Sequence, residues 1–138
     1  MSMSSTSRRG RHVVFQMHVH LVFVTKYRRA CFSKKGLDFL NLTFSKICSK
    51  FDATLIEFNG EADHVHLLVY YPPKVTISKL VNSLKGVSSR LFRKAFRKEI
   101  SRYYWKGVLW SPSYFAGSCG GAPIETLIAY IRKQVAPA

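Results

Sequence analysis

Two histidines one residue apart, His64 and His66, sit in the run Asp63-His64-Val65-His66-Leu67-Leu68-Val69. The run is apolar and β-branched and reads as a buried strand. Strand side chains alternate between faces, so His64 and His66 project to one side and Val65 to the other. Two imidazoles held side by side can bind one divalent metal, provided a third ligand arrives from elsewhere. The same spacing also suits two buried histidines hydrogen-bonded within a sheet. Glu57, Glu61 and Asp63 place three of the chain's seven acidic residues beside the pair, and in so basic a protein that concentration favours a divalent cation. Glu61 is a candidate carboxylate ligand. Strand alternation sends Asp63 to the face opposite His64 unless a bulge intervenes.

A second set of chemical groups lies near the C-terminus. At roughly 100° per residue, Ile124, Leu127, Ile128, Ile131 and Val135 fall on one helical stripe, with Tyr130 and Gln134 side by side on its flank. A tyrosine on the flank can present its hydroxyl as a nucleophile, and the Gln134 amide oxygen beside it can ligate a metal. A half-exposed tyrosine packing beside a core helix fits the same periodicity.

The elements that must carry these groups follow from patterning. His12 to Thr25 reads as a long strand and contains a second pair, His18 and His20, with His20 read as structural or as a support behind the ligating residues and His18 left unassigned. The arm before it, residues 1–11, is Ser/Arg-rich, aperiodic and expected to be flexible. Lys26, Tyr27, Arg28 and Arg29 at the strand end offer three cations and a stacking ring, suited to nucleic acid or to an ordinary basic loop. Lys34 to Phe51 has helical periodicity. Thr54 to Asn59 reads as a strand, Asn59-Gly60 as a hairpin turn and the histidine run as its partner. Thr76 caps a helix whose apolar side is Ile77, Leu80, Val81, Leu84, Val87 and Leu91, while Lys79, Lys85, Arg90, Arg93, Lys94 and Arg97 are candidate contacts to nucleic-acid phosphates, on a basic side that also fits a face turned to water. A basic-aromatic linker, Arg102 to Lys106, leads to a last strand over Val108 to Ser118. Glycines between Gly117 and Gly121 form a joint before Pro123 and the final helix. This order predicts an α+β sandwich in one domain, 1–138, with a ferredoxin-like antiparallel sheet, helices on one face and histidines toward the other.

Composition narrows the partners. Twenty-two Lys and Arg against seven Asp and Glu give a formal net charge of +15, which calls for a polyanion, nucleic acid before an anionic membrane surface. A hydrophobic content of 47% excludes a disordered chain, and no apolar run approaches the roughly 18 residues of a membrane span. A cytoplasmic protein is expected. Cys31, Cys48 and Cys119 are odd in number and far apart, which argues against a disulfide framework or a zinc knuckle.

His64-Val65-His66, then Lys85-Gly86 in a helix, then Trp110-Ser111-Pro112-Ser113-Tyr114, then Tyr130-Ile131-Arg132-Lys133-Gln134, form an ordered set that resembles the single-tyrosine HUH transposases of small insertion sequences, the TnpA-like or IS200-like family. The likeness runs from about Val14 to Gln134. It implies a single-stranded DNA transposase in which Tyr130 attacks the scissile phosphate and leaves a 5′-phosphotyrosine link and a free 3′-hydroxyl. It further implies that His64, His66 and Gln134, with Glu61 as a further candidate, hold Mg²⁺ or Mn²⁺. Its partners would be hairpin-bearing transposon ends and a second copy of the chain, with active sites shared between subunits. A phenol of pKa near 10 is only about a thousandth ionised at neutral pH, so such a nucleophile needs assistance. Two other classes fit parts of the pattern: a non-catalytic single-strand binding module, and a metal-dependent nuclease that uses water.

Overall fold

The computed structural model describes the backbone of residues 8–9 and 14–15 and the whole of residues 17–118. β1 (Arg8–Arg9) and β2 (Val14–Phe15) form a two-residue antiparallel ladder, so the basic arm includes paired backbone. The long strand expected over 12–25 is accordingly divided. Its main part is β3 (His18–Val24), followed by a tight turn at Lys26–Arg28 and by α1 (Lys34–Lys50). β4 (Thr54–Glu61) and β5 (His64–Tyr70) make a hairpin, and α2 (Ile77–Ala95), a one-turn α3 (Arg97–Ile100) and β6 (Phe115–Ser118) complete the order.

The second sheet has the order β4-β5-β3-β6 with all pairs antiparallel. With α1 linking β3 to β4 and α2 linking β5 toward β6, this is the β-α-β-β-α-β ferredoxin-like arrangement. One face carries Val19, Leu21, Phe23, Val65, Leu67 and Val69, all in the main core with Leu40, Phe44, Leu80, Leu84 and Phe92 from the two helices. Register puts His18, His20, Val22 and Val24 of β3 and His64, His66, Leu68 and Tyr70 of β5 on the opposite face. The expectation of helices on one side and histidines on the other therefore holds.

Local chemistry explains the helix limits. Ser33 accepts from the Gly36 amide at 3.1 Å and Thr76 from the Lys79 amide at 3.3 Å, each satisfying a first-turn donor. α2 stops before Phe96, whose backbone is non-helical and whose ring stacks on Phe92 at 4.6 Å, so Arg97 belongs to α3 and not to the long basic helix expected.

Three other boundaries differ from expectation. Asn59-Gly60 is not the hairpin turn: Asn59 pairs with His66 and Gly60 with Val65, and Ala62-Asp63 turns the chain. Gly60 instead allows close approach of α1, because a Cβ there would lie 2.5 Å from a Leu37 methyl. The last strand is short: between Val108 and Tyr114 only Trp110 makes a bridge, to Thr25, and pairing resumes at Phe115. Gly117 is a strand residue paired with His20, not part of a joint. Among the described residues no helix is long and apolar enough to cross a membrane.

Candidate active site and DNA-facing surface

β5 is buried along its whole length, and its alternation sets the His64 and His66 rings side by side on the face away from the helices. Their centroids are 5.1 Å apart with ring planes inclined at 72°. Asp63 is the second residue of the two-residue turn, and that position, not a strand position, governs its side chain. Its Oδ1 lies 2.7 Å from His64 Nδ1. The expectation that Asp63 faces away from His64 is thus corrected: the turn releases it from strand alternation and its carboxylate reaches back to the ring. A carboxylate can only accept, so Nδ1–H donates, and in the neutral ring that leaves the Nε2 lone pair for a ligand. This is the carboxylate–histidine pairing that orients imidazole ligands of metals.

Asp63 also accepts from Arg28 Nε at 3.2 Å. Burial alone would push the Asp63 carboxyl upward, but the His64 and Arg28 hydrogen bonds and charges outweigh it and hold it below the usual carboxylate range. Arg28 comes from the turn after β3, which is anchored to the hairpin at Thr25. The Thr25 amide donates to the Asp63 carbonyl at 2.9 Å, and its hydroxyl lies 2.8 Å from the Arg29 carbonyl. Tyr27 and Arg28 in this turn both have left-handed backbones, with φ of 61° and 53°. Such conformations in two successive non-glycine residues are strained and are retained only where surrounding bonds enforce them.

Glu61 is directly opposite His64 across the hairpin and is exposed. A bulge at Ile56 gives Glu57, Asn59 and Glu61 the histidine face, and Asn59 donates to Glu57 at 3.2 Å. Among the described residues no group of three or more His, Cys, Asp or Glu could hold a metal. The histidine pair, with its Nδ1 bonded to a carboxylate, suits a divalent ion, but Glu61 does not complete a three-ligand set. Tyr130, Gln134 and the helix expected to carry them lie outside the described residues, as does Cys119. Cys31 and Cys48 are buried thiols pushed up to about 11 and about 12 by loss of solvent, and so are poor nucleophiles.

The candidate DNA contacts separate into distinct places. Tyr27 is 70% exposed, with Lys26 Nζ and the Arg29 guanidinium each 5.5 Å from its ring centroid. Lys79, Arg90, Lys94 and Arg97 are exposed, but α2 packs on the core face, so the sheet stands between its cations and the histidines. Arg93 donates to Ser89 at 3.1 Å. Lys85 is turned inward: its ammonium reaches the carbonyls of Ser111, Pro112 and Ser113 at 2.6, 3.2 and 3.3 Å, and burial lowers its pKa. It stitches α2 to the segment leading into β6. Below it, the Trp110 indole donates to buried Ser88 at 3.0 Å.

Residue-level reading overlooked the Asp63–His64 bond and the tie of Arg28 to it. The signal was available, since Asp is favoured at turns and the true turn follows Glu61.

A ferredoxin-like sheet with a histidine pair on the face away from the helices, in a chain of net charge +15, suits a domain that works on a polyanion. Residues 13–134 match the family model described as "Transposase IS200 like". The chain is 33% identical over 128 residues to the ISDra2 transposase TnpA of Deinococcus radiodurans, covering 93% of this chain and 88% of that protein. It is 28% identical over 124 residues to the transposase for insertion sequence element IS200 of Salmonella typhimurium, covering 90% and 80%. Among solved structures it resembles a Deinococcus radiodurans protein assigned as a transposase, with a TM-score of 0.76 and 30% identity over 92% of this chain and 97% of the other. A REP-associated tyrosine transposase bound to a REP hairpin shares the fold, with a TM-score of 0.58, 13% identity and coverage of 91% and 68%. The chain belongs to the IS200-like transposase family and is a DNA transposase.

Proposed function

We propose that the chain cleaves and rejoins single-stranded, hairpin-bearing transposon ends with Tyr130 as nucleophile, acting in the cytoplasm as a homodimer. The observation that carries this reading is the His64–His66 pair with His64 Nδ1 committed to Asp63, which leaves Nε2 of the neutral imidazole as the nitrogen able to ligate. His64, His66 and Gln134 would hold Mg²⁺ or Mn²⁺. When bound, the ion supplies charge stabilisation at the scissile phosphate and orients it.

The Tyr130 oxygen forms the new bond to phosphorus as its phenolic proton departs. The bond from phosphorus to the 3′-oxygen breaks, and that oxygen leaves as a hydroxyl after taking a proton. Phosphodiester energy is conserved in the 5′-phosphotyrosine link, so rejoining is the reverse attack and needs no nucleotide triphosphate. Arg28 and Asp63 fix the ring orientation of His64, and the cations of the Lys26–Arg29 turn lie beside that hairpin to receive the strand.

The test is incubation of the wild type and Tyr130→Phe with single-stranded end DNA, resolved on a denaturing gel. The expected result is a covalent protein–DNA adduct that is lost in Tyr130→Phe while hairpin binding persists. Cleavage without an adduct would make the protein a nuclease that uses water, and binding with neither would make it a binding module.

A further inference from the structure

Trp105 is 99% exposed, the most exposed large apolar side chain among the described residues, and Tyr27 follows at 70%. The two belong to loops far apart in sequence that fold as one body. The hydroxyl of Tyr104, a buried neighbour of Trp105 in the chain, donates to the Lys26 carbonyl; the Lys26 amide donates to the Leu109 carbonyl at 2.9 Å; and Arg29 Nη1 reaches the Tyr103 carbonyl at 3.5 Å. The strained backbone at Tyr27 and Arg28 is held by these bonds and by Asp63, the residue that orients His64. The paired loops are therefore joined mechanically to the histidine hairpin.

Charge selects the occupant. Residues 26–29 and 97–106 together hold seven basic residues and one acidic residue, Glu99. An apolar protein partner gains nothing from such an excess of cations, whereas a polyanion with flat aromatic groups satisfies both features. Lys26 and Arg29 each hold a cation over the Tyr27 ring, 5.5 Å from its centroid, which sets this exposed aromatic in a positive surround that suits an anionic, aromatic partner. We propose that Trp105 and Tyr27 form a stacking platform for unpaired bases of the single strand that runs to the histidine site. The inference rests on the DNA reading of that site. Every base has a π-face, so the platform adds affinity for unpaired nucleotides with little sequence preference, and Lys106, Arg102 and Arg29 flank it for phosphates.

The chain has two tryptophans, and the other, Trp110, is buried, so a change in intrinsic fluorescence on direct contact with a ligand reports on Trp105. Full-length protein is titrated with an oligodeoxythymidylate single strand and with a blunt hairpin that has no unpaired tail. The single strand is expected to quench Trp105 emission and the blunt hairpin to leave it unchanged. Trp105→Ala should weaken single-strand binding by roughly 5- to 150-fold, the range for loss of one stacked base, and Trp105→Phe should recover most of it. The slope of log affinity against log salt should be the same in Trp105→Ala as in wild type, because no phosphate contact is lost. Tyr27→Ala should weaken binding in the same salt-independent manner.

Wild-type binding without quenching, and with Trp105→Ala equally tight, would reject the platform and leave the transposase reading intact. A change in sedimentation-derived oligomeric state in Trp105→Ala, with unchanged DNA affinity, would reassign Trp105 to a protein contact and overturn the proposal. Failure of the wild type to bind any single strand would overturn both readings.

Discussion

Replacing Asp63 by alanine isolates the chain Arg28–Asp63–His64 from the rest of the fold. The carboxylate accepts from His64 Nδ1 at 2.7 Å and Arg28 Nε at 3.2 Å, and its side chain is 19% exposed. Removing it frees the His64 ring to rotate or change tautomer without removing the ring itself. Loss of an orienting partner of this kind typically costs 10- to 100-fold in metal affinity, or about 1.4 to 2.7 kcal/mol. The fold should suffer little, since the Arg28–Asp63 pair is partly exposed and worth at most about 1 kcal/mol. The backbone bond from Thr25 to the Asp63 carbonyl is also unaffected by the substitution. Mn²⁺ binding is measured by electron paramagnetic resonance on wild type, Asp63→Ala and Asp63→Asn. Asp63→Asn should fall between the other two, because its amide oxygen still accepts from Nδ1–H but lacks the charge. A Kd for Asp63→Ala within twofold of wild type would refute the orienting role. If the wild type itself binds no Mn²⁺, it is the metal assignment of His64 and His66 that fails.

Ser88→Ala strands the Trp110 indole N–H in the core and should lower stability by about 1 to 3 kcal/mol, read as a reduced urea midpoint with an unchanged slope. His18 and His20 are both held below the ordinary histidine pKa of 6.5 by burial, His20 further by His18, so the unfolded chain takes up these protons first. Stability is therefore full above 6.5 and is lost as pH falls from 6.5 toward the lower folded values; a His20→Leu chain should show a flatter Tm-against-pH curve in that window. Mixing Tyr130→Phe subunits with His64→Ala/His66→Ala subunits should restore cleavage if each site combines the tyrosine of one chain with the histidines of another. No recovery in demonstrated heterodimers would place each site within one chain. Single-strand affinity should fall steeply with salt, with a log-log slope of roughly −0.7 per phosphate contacted, and a flat response would contradict an electrostatic surface.

Much of the fold was legible because its signals are local. The helical spacing of α1, the Thr76 cap of α2 and the unbroken apolar run of β5 each follow from neighbouring residues, and the alternation of β5 alone predicts that His64 and His66 share a face. Composition alone points to a polyanion, since +15 on one small domain depends on no fold. Other features depended on contacts between distant residues. Asn59-Gly60 has turn chemistry, yet β5 pairs with β4 through Glu61, and the Gly60 position accommodates Leu37. The bulge at Ile56 reverses the facing of all later β4 residues: simple alternation would put Leu55 and Glu57 on one side, whereas Leu55 pairs with Val69 on the core face and Glu57 with Leu68 on the histidine face. Lys85 looks like any cation on a basic helix until the carbonyls of Ser111, Pro112 and Ser113 converge on it. Sequence by itself determined which residues can ligate, attack or carry charge, because those are properties of the side chains. Tertiary structure alone decided that Asp63 turns back onto His64, that the cations of α2 lie across the sheet from the histidines, and that the turn carrying Tyr27 is hydrogen-bonded to the loop carrying Trp105. Each of these depends on a pairing across many residues, and only the closed hydrogen-bond ladder and the packed core fix such pairings.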